Sequence, residues 1–422
     1  MEQKVILRRL FDAAVKAADP THCLPPFLPE PPKGRTIVIG AGKAAASMAR
    51  AVEQHWQGEL RGLVVTRYDH GLGCDRIEIV EAAHPVPDQK GIDAAARILA
   101  SVQDLTADDL VLFLASGGGS ALLTMPGPGI SLADKQHLNR ALLKSGANIT
   151  EMNTVRKHLS AIKGGRLALA AAPAKVVTLA ISDVPGDDPA VIASGPTVGD
   201  ATTVEDAIAV LANYNIEPAA SITAFLGSAD AETPKPGDPR LAHCEFRMIA
   251  TPMASLEAAA TFSRDAGIIP SILGDDLEGE AREVATDHAA QAIAIADRLK
   301  PGDAPIALIS GGETTVTVRG NGRGGRNAEY LLALTIELAG HPQIHAIACD
   351  TDGIDGSEDN AGAITSSDTL DRARATSIDA TACLSNNDGY TFFSKLDDLV
   401  MTGPTLTNIN DFRAILIHPP SD

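Results

Sequence analysis

The sequence predicts two α/β units joined by a polar linker, the first of them a Rossmann-like, doubly wound sheet. Three observations carry that expectation. The chain has 422 residues, more than one ordinary hydrophobic core serves. Short apolar runs alternate with Ala-rich helical stretches through both halves, the pattern of strands covered by crossover helices. The segment "LGSADAETPKPGDPRLAH", residues 226–243, is polar, Pro-rich and aperiodic, which marks a boundary. The expected domains are residues 1–230 and 243–422.

The elements follow in order. "MEQKVILRRLFDAAVKAA" is an amphipathic helix and "LPPFLPEPPKG" a stiff turn, after which "TIVIG", "GLVVT", "IEIVEA", "VLFLA" and "KVVTLAIS" read as the strands of the first unit. Beyond the linker the pattern restarts with "FRMIAT", "IIPSIL", "PIALIS", "TTVTV", "IHAIAC" and "AILIHP", interleaved with helices over 278–299 and 328–338. Hydrophobic residues make up 45% of the chain but aromatic ones only 3%, so the cores are built from Ala, Leu, Val and Ile.

Charge and cysteine usage bound the function. A formal net charge of −19 without a basic tract excludes nucleic acid and anionic membranes as partners. The five cysteines are scattered with no C-x-x-C, which argues against a zinc ribbon or a disulfide framework. The first helix carries charges throughout, unlike a signal peptide, and no apolar run approaches the roughly 20 residues of a membrane span. A cytoplasmic protein acting on small molecules is expected, with a second copy of itself as the one protein partner allowed for.

Two stretches run an apolar strand into Ser-Gly-Gly: "VLFLASGGGSALL" with Ser116, Gly117, Gly118, Gly119 and Ser120, and "IALISGGETTV" with Ser310, Gly311, Gly312 and Glu313. Glycines at the carboxyl end of a parallel strand let backbone amides approach an anion, so each is read as a phosphate cradle. Neither has the G-x-S-x-G of a serine hydrolase, and no Walker A motif is present. "IVIGAGKAAASMA" matches G-x-G-x-x-A, but the next strand ends in Thr66 and Arg67 instead of the acid that holds an NAD ribose. Lys43 stands at the start of the following helix, where the macrodipole disfavours a cation, which suits a group that meets a phosphoryl. Arg326 opens another helix in the same way, its planar fork matching a carboxylate or phosphate.

Acidic loops follow two strands. "ISDVPGDDPAVIASGPT" supplies Asp183, Asp187 and Asp188, and "ACDTDGIDG" supplies Asp350, Asp352 and Asp355. Carboxylates there suit Mg2+, which keeps most of its waters, or serve as Asx turns. The short basic stretch "NTVRKHLSAIKGGRLA", with Arg156, Lys157, Lys163 and Arg166, has room for a small anion on a helix face.

Taken together, "IVIGAGKAAASMA", "AAHPVPD", "FLASGGGSALL", "MNTVRKHLSAIKGGRLA", "ISDVPGDDPAVIASGPT", "LISGGETTVTVRGNGRGGRNAEYLLAL", "ACDTDGIDG" and "NNDGY" resemble the two-domain glycerate kinases whose C-terminal half is the MOFRL domain. The resemblance implies transfer of the ATP γ-phosphoryl to D-glycerate, giving 2-phosphoglycerate, with ATP and Mg2+ in a cleft between the domains. It implies Lys43, Arg326 and Asp183 as catalytic, and Ser116, Arg156, Arg326 and Asp350 as substrate-binding. Phosphate contacts would come from Gly117, Gly118, Gly119, Ser120, Gly311, Gly312 and Glu313, and metal contacts from Asp188 and Asp352. The reductase label that some members of the family carry is read as a misnomer here. The readings kept beside the kinase are an NAD(P)H-dependent hydroxypyruvate reductase and a non-catalytic sensor of sugar acids or phosphate.

Overall fold

A computed structural model describes residues 2–420. The chain divides into two compact units, Cys23–Ile249 and a second made from Met1–His22 together with Ala250–Asp422. Each carries one six-stranded sheet, so the expected two-unit α/β architecture is present.

The first unit contains strands β1 (Thr36–Ala41), β2 (Arg61–Arg67), β3 (Ile77–Ala82), β4 (Leu110–Ala115), β5 (Lys175–Ile181) and β6 (Cys244–Ala250), in the order β3-β2-β1-β4-β5-β6. The pairings of β1 with β2 and β4, of β2 with β3 and of β4 with β5 are parallel. Every residue of β1 and β4 is buried, as expected of central strands covered on both faces. Strand order reverses between β1 and β4. The carboxyl ends of those strands therefore border a topological switch point, where open α/β sheets bind ligands. Helices from between β4 and β5 and from between β5 and β6 build a lobe with its own core, in which Leu138, Leu142, Val155, Leu159 and Phe225 are buried.

The second unit orders its strands β11-β10-β9-β12-β8-β7, with β7 (Ile269–Glu280), β8 (Ile306–Thr315), β9 (Ile344–Asp350), β10 (Gly362–Thr365), β11 (Leu399–Val400) and β12 (Asp411–Ile417). Only β7 and β8 pair in parallel. Strand β12 runs antiparallel to both β8 and β9, and β10 runs antiparallel to β9 and β11. Helix Glu2–Ala17 belongs here: Leu7, Leu10, Phe11 and Ala14 form one helical stripe buried with Leu256, Ala259 and Phe412.

The division drawn from the sequence, 1–230 and 243–422, differs from this in two places. The first helix joins the second unit because its apolar stripe finds cover there. "FRMIAT" lies in β6, beside β5 in the first sheet, so the Pro-rich segment 226–243 is a surface connection within the first unit. Among the described residues no helix is long and apolar enough to cross a membrane.

Candidate active site

The loops at the carboxyl ends of β1, β3, β4 and β5 meet around the triple glycine of the first unit. After β1 the chain turns through Gly42 and Lys43 into helix Ala45–His55. The Lys43 amide donates to the Gly117 carbonyl at 2.8 Å, and the Ala44 amide donates to Ser116 Oγ at 3.0 Å. Thr66 Oγ1, at the end of β2, donates to the Lys43 carbonyl at 3.3 Å. The lysine turn and the glycine turn are thus fastened to each other by backbone, which leaves the Lys43 side chain as the variable part.

Gly118 has φ +78°, and a Cβ there would lie 2.9 Å from His84 Nε2 and 3.5 Å from Lys43 Cγ. Only glycine adopts that backbone without cost, and its bareness lets the imidazole from the β3 loop reach the turn. The helix that follows, Gly119–Leu122, is four residues long. Its macrodipole is small, so any anion held here depends on individual amides and side chains and not on a long helix axis. The loop after β5 packs against this short helix through the turn Ile192–Ser194. In that turn Ala193 and Ser194 have φ of 51° and 62°, a conformation costly for residues with a Cβ. It presents Ser194 Oγ to Ser120 Oγ at 2.8 Å and to Lys163 Nζ at 3.4 Å.

Several predicted site residues have different work in this structure. Ser116 is fully buried and ties the two turns together, so it positions Lys43 instead of touching a substrate. Asp188 is exposed and accepts from the Ala190 amide at 2.9 Å, an Asx turn. Asp187, which the sequence did not single out from its neighbour, has φ 54° and a buried Oδ1 without a hydrogen-bond partner. Asp183 is half-buried at the start of the same loop. Arg156, half-buried on helix Ile149–His158, donates from Nε to Asn139 Oδ1 at 2.8 Å and from Nη1 to Asn153 Oδ1 at 3.4 Å. Its partners are neutral amides.

The second unit gathers charge instead of glycine. The second Ser-Gly-Gly does not end a strand: β8 continues through Gly311, Gly312 and Glu313 to Thr315, pairing Gly312 with Leu277 of β7. Gly312 has φ +103°, and a Cβ there would sit 2.3 Å from the backbone N and O of Leu277. The Gly311 carbonyl accepts from Arg413 Nη1 at 2.9 Å. Close strand packing accounts for Gly312.

Arg326, first residue of helix Arg326–Leu338, meets three carboxylates: Asp411 Oδ1 from Nε at 2.7 Å, Asp350 Oδ2 from Nη2 at 3.0 Å and Glu313 Oε1 from Nη1 at 2.5 Å. Burial works against its charge, but the three carboxylates outweigh it and hold the guanidinium more firmly protonated than usual. Asp411 also accepts from Asn327 Nδ2 at 2.7 Å and Arg413 Nη2 at 2.6 Å. The helix amides of Asn327 and Ala328 are capped by Asp355 at 3.0 and 2.8 Å. Burial, with the charge of Asp411, pushes that carboxyl up to about 6. The helix terminus and the arginine fork expected to grip a ligand are occupied by the protein's own acids. Asp352 is buried and accepts from the Ile354 amide at 2.9 Å, another Asx turn. Arg323 pairs with Glu358 and lies over the Tyr390 ring at 4.2 Å.

Glycine amides at a switch point, a lysine fastened beside them and carboxylates on the adjoining loop define the class: an α/β enzyme of phosphoryl transfer, a kinase. Residues 6–227 match the family described as Domain of unknown function (DUF4147), and residues 306–411 match the MOFRL family. The D-glycerate 2-kinase of Thermotoga maritima is 42% identical, over 96% of each chain. The crystal structure of glycerate kinase from that organism superposes with a TM-score of 0.89 at 41% identity, over 99% of each chain. A protein of Agrobacterium vitis with the provisional name hydroxypyruvate reductase is 56% identical over 98% of this chain and 94% of that protein. The chain belongs to the two-domain glycerate kinases that carry a MOFRL domain.

Proposed function

We propose that the protein transfers the γ-phosphoryl group of ATP to D-glycerate, giving 2-phosphoglycerate, as a cytoplasmic enzyme. The observation that carries this reading is the bond between the Lys43 amide and the Gly117 carbonyl at the switch point of the first sheet. It holds an ammonium side chain beside the glycine turn where transferred phosphate would rest.

ATP phosphates lie against the turn Gly117 to Gly119, whose Gly119 amide is already given to the Ser116 carbonyl at 3.1 Å, and Lys43 neutralises charge on the phosphoryl as it moves. Asp183 accepts or orients the proton of the attacking hydroxyl. Catalysis is then mostly positioning and charge stabilisation, as in phosphoryl transfer generally. Among the described residues no group of three or more His, Cys, Asp or Glu side chains is gathered as a metal cage. The orphaned Asp187 Oδ1 fits an ion that takes one or two carboxylates and otherwise waters and phosphates. Asp187 is therefore the residue we assign to Mg2+, in place of Asp188 and Asp352, while Asp183 keeps its role toward the hydroxyl. When bound, the ion would offset charge on the β- and γ-phosphates. Arg326 and Asp350 act as positioning residues within the second unit.

Phosphorus NMR of the product formed from D-glycerate and ATP tests the reading. A 2-phosphoglycerate resonance with stoichiometric ADP is expected, and no ADP above background would sink it. In parallel, Lys43→Ala should lower kcat/KM by about 100-fold or more, ~2.7 kcal/mol of transition-state stabilisation, while unfolding stays within a few degrees of the parent. Turnover surviving within a few-fold would remove Lys43 from the chemistry.

The reductase reading has one favouring observation, the name of the Agrobacterium vitis relative. Against it stands β2, which ends in Thr66 and Arg67 with no acid for a ribose. Oxidation of NADH or NADPH by hydroxypyruvate, followed at 340 nm, decides that alternative directly.

A further inference from the structure

Of the four cations in "NTVRKHLSAIKGGRLA", two have evident structural work. Lys157 pairs with Asp200 at 2.9 Å, and Arg166 donates to the carbonyls of Lys157, Asp230 and Ala231 at 3.0, 2.9 and 2.7 Å. The other two do not. Lys163 is 2% exposed, with Nζ donating to the Ser120 carbonyl at 2.5 Å and reaching Ser194 Oγ at 3.4 Å. Arg156 contacts only neutral groups, the amides of Asn139 and Asn153 and the sulfur of Met152.

A third cation joins them from a different helix. Lys135 stands one turn before Asn139 on helix Leu132–Ser145, the spacing that puts both on one face, and Asn139 bonds Arg156. Lys135 Nζ has no exposed surface and no hydrogen-bond partner. The charges that bear on it and on Lys163 are cations: Arg156 on Lys135, and Lys135 and Arg156 on Lys163. Burial and this mutual repulsion lower both ammonium groups, Lys135 to about 8. Among the described residues none of the three forms an ion pair. Desolvating like charges without a counter-charge is strongly unfavourable, and the neutral partners of Lys163 and Arg156 offset only part of it.

We infer that Lys135, Arg156 and Lys163, with the Ser120 and Ser194 hydroxyls, form a binding site for a small oxyanion, carboxylate or phosphate, that supplies the missing negative charge. The inference deepens the phosphotransfer reading and rests on it for the choice of ligands. It adds Lys135, Lys163 and Ser194 to the machinery. The strained backbone of Ala193 and Ser194 then has a use, since it brings the Ser194 hydroxyl to Lys163 and Ser120.

Thermal unfolding followed by Trp56, the chain's one tryptophan, buried in the first unit, tests this without turnover. Wild type and Lys135→Met are heated with inorganic phosphate, D-glycerate or ATP in separate arms, against chloride at matched ionic strength. Wild type should be stabilised by at least one oxyanion beyond chloride, and the responding arm identifies carboxylate or phosphate as the guest. Lys135→Met, relieved of one repelling cation, should unfold at the same or a higher temperature without ligand. Its apparent Kd for the responding anion should weaken by about tenfold or more, and Lys135→Arg should restore binding. The inference falls if no oxyanion stabilises wild type, or if Lys135→Met binds as wild type does. It also falls if Lys135→Met is markedly less stable without ligand, because that marks a structural lysine. Turnover of glycerate with no oxyanion effect would overturn this site and leave the kinase. An oxyanion effect abolished by Lys135→Met, with no turnover, would do the reverse.

Discussion

The chain contains nearly the same words twice, and folds them differently. "LASGGGS" ends a central parallel strand and turns, with Gly118 at φ +78° beside a movable imidazole. "LISGGET" stays in strand β8, with Gly312 at φ +103° pressed on the backbone of Leu277. In the first segment Gly118 turns the chain and Gly119 packs against Ala193 and the Ala41 carbonyl, while in the second Gly312 lets two strands approach. The electrostatics divide the same way. Among the described residues the first unit holds Lys163 buried, Lys135 with its Nζ out of solvent and Arg156 half-buried, none paired with a carboxylate, whereas the second surrounds Arg326 with three acids. A loop poised for an anion and a self-neutralised network are different physical objects, even where motif and family suggest a shared role.

The largest effect expected from this contrast is at Arg326. Arg326→Met takes one partner from each of Asp411, Asp350 and Glu313, although Asp411 keeps Arg413 and Asn327, and should destabilise the second unit by about 3–5 kcal/mol in urea unfolding followed by far-ultraviolet circular dichroism. Unchanged stability with lost activity would restore the arginine as a ligand-gripping group and break the comparison. Next come the two glycines. Gly312→Ala forces a methyl onto immovable backbone and should cost about 3 kcal/mol. Gly118→Ala meets the end of a side chain that can shift, and should cost about 1 kcal/mol while impairing turnover more severely. Equal stability losses would mean that both segments are merely structural.

The most gradual effect is pH dependence. Burial lowers His288 and His345 to about 4, the latter also through neighbouring His418. Unfolded imidazoles take up protons near pH 6.5 and the folded ones only near 4. Stability from these residues is therefore complete above pH 6.5 and declines as pH falls through that window, on the order of 2 kcal/mol for each. For Lys135, folded about 8 against 10.5 unfolded, the sign gives a first unit that gains stability as pH rises from 8 to 10.5. Urea midpoints at pH 7 and 5 for wild type and a His288→Gln, His345→Gln double variant check the acid limb, which should flatten in the variant.

The α/β class and the first sheet were legible because fully apolar runs bounded by glycine admit few other readings, and the closeness of Lys43 to the glycine turn follows from β1 and β4 being parallel neighbours. The continuation of β8 through Gly312 was hidden, since whether Ser-Gly-Gly turns or extends depends on β7 being alongside, and the two pair across more than 30 residues of chain. The carboxylates around Arg326 were hidden, because Asp411 lies 85 positions away. Lys135 carried no signal at all. A lysine on an amphipathic helix is ordinary until Arg156 and Lys163 are found facing it. The closeness of His84 to Gly118 was hidden as well, because the loop after β3 has to reach past β2 and β1 to the turn after β4.

Strand β12 lies between β8 and β9, at the centre of its sheet, and helix Glu2–Ala17 packs on the same sheet. A ribosome therefore releases residues 23–249, which can close their own core, while the unit that received the first helix still lacks its middle strand. Until residues 411–417 emerge, β8 and β9 expose apolar edges, and a chain interrupted shortly before that point should aggregate through them despite holding almost every residue of the protein.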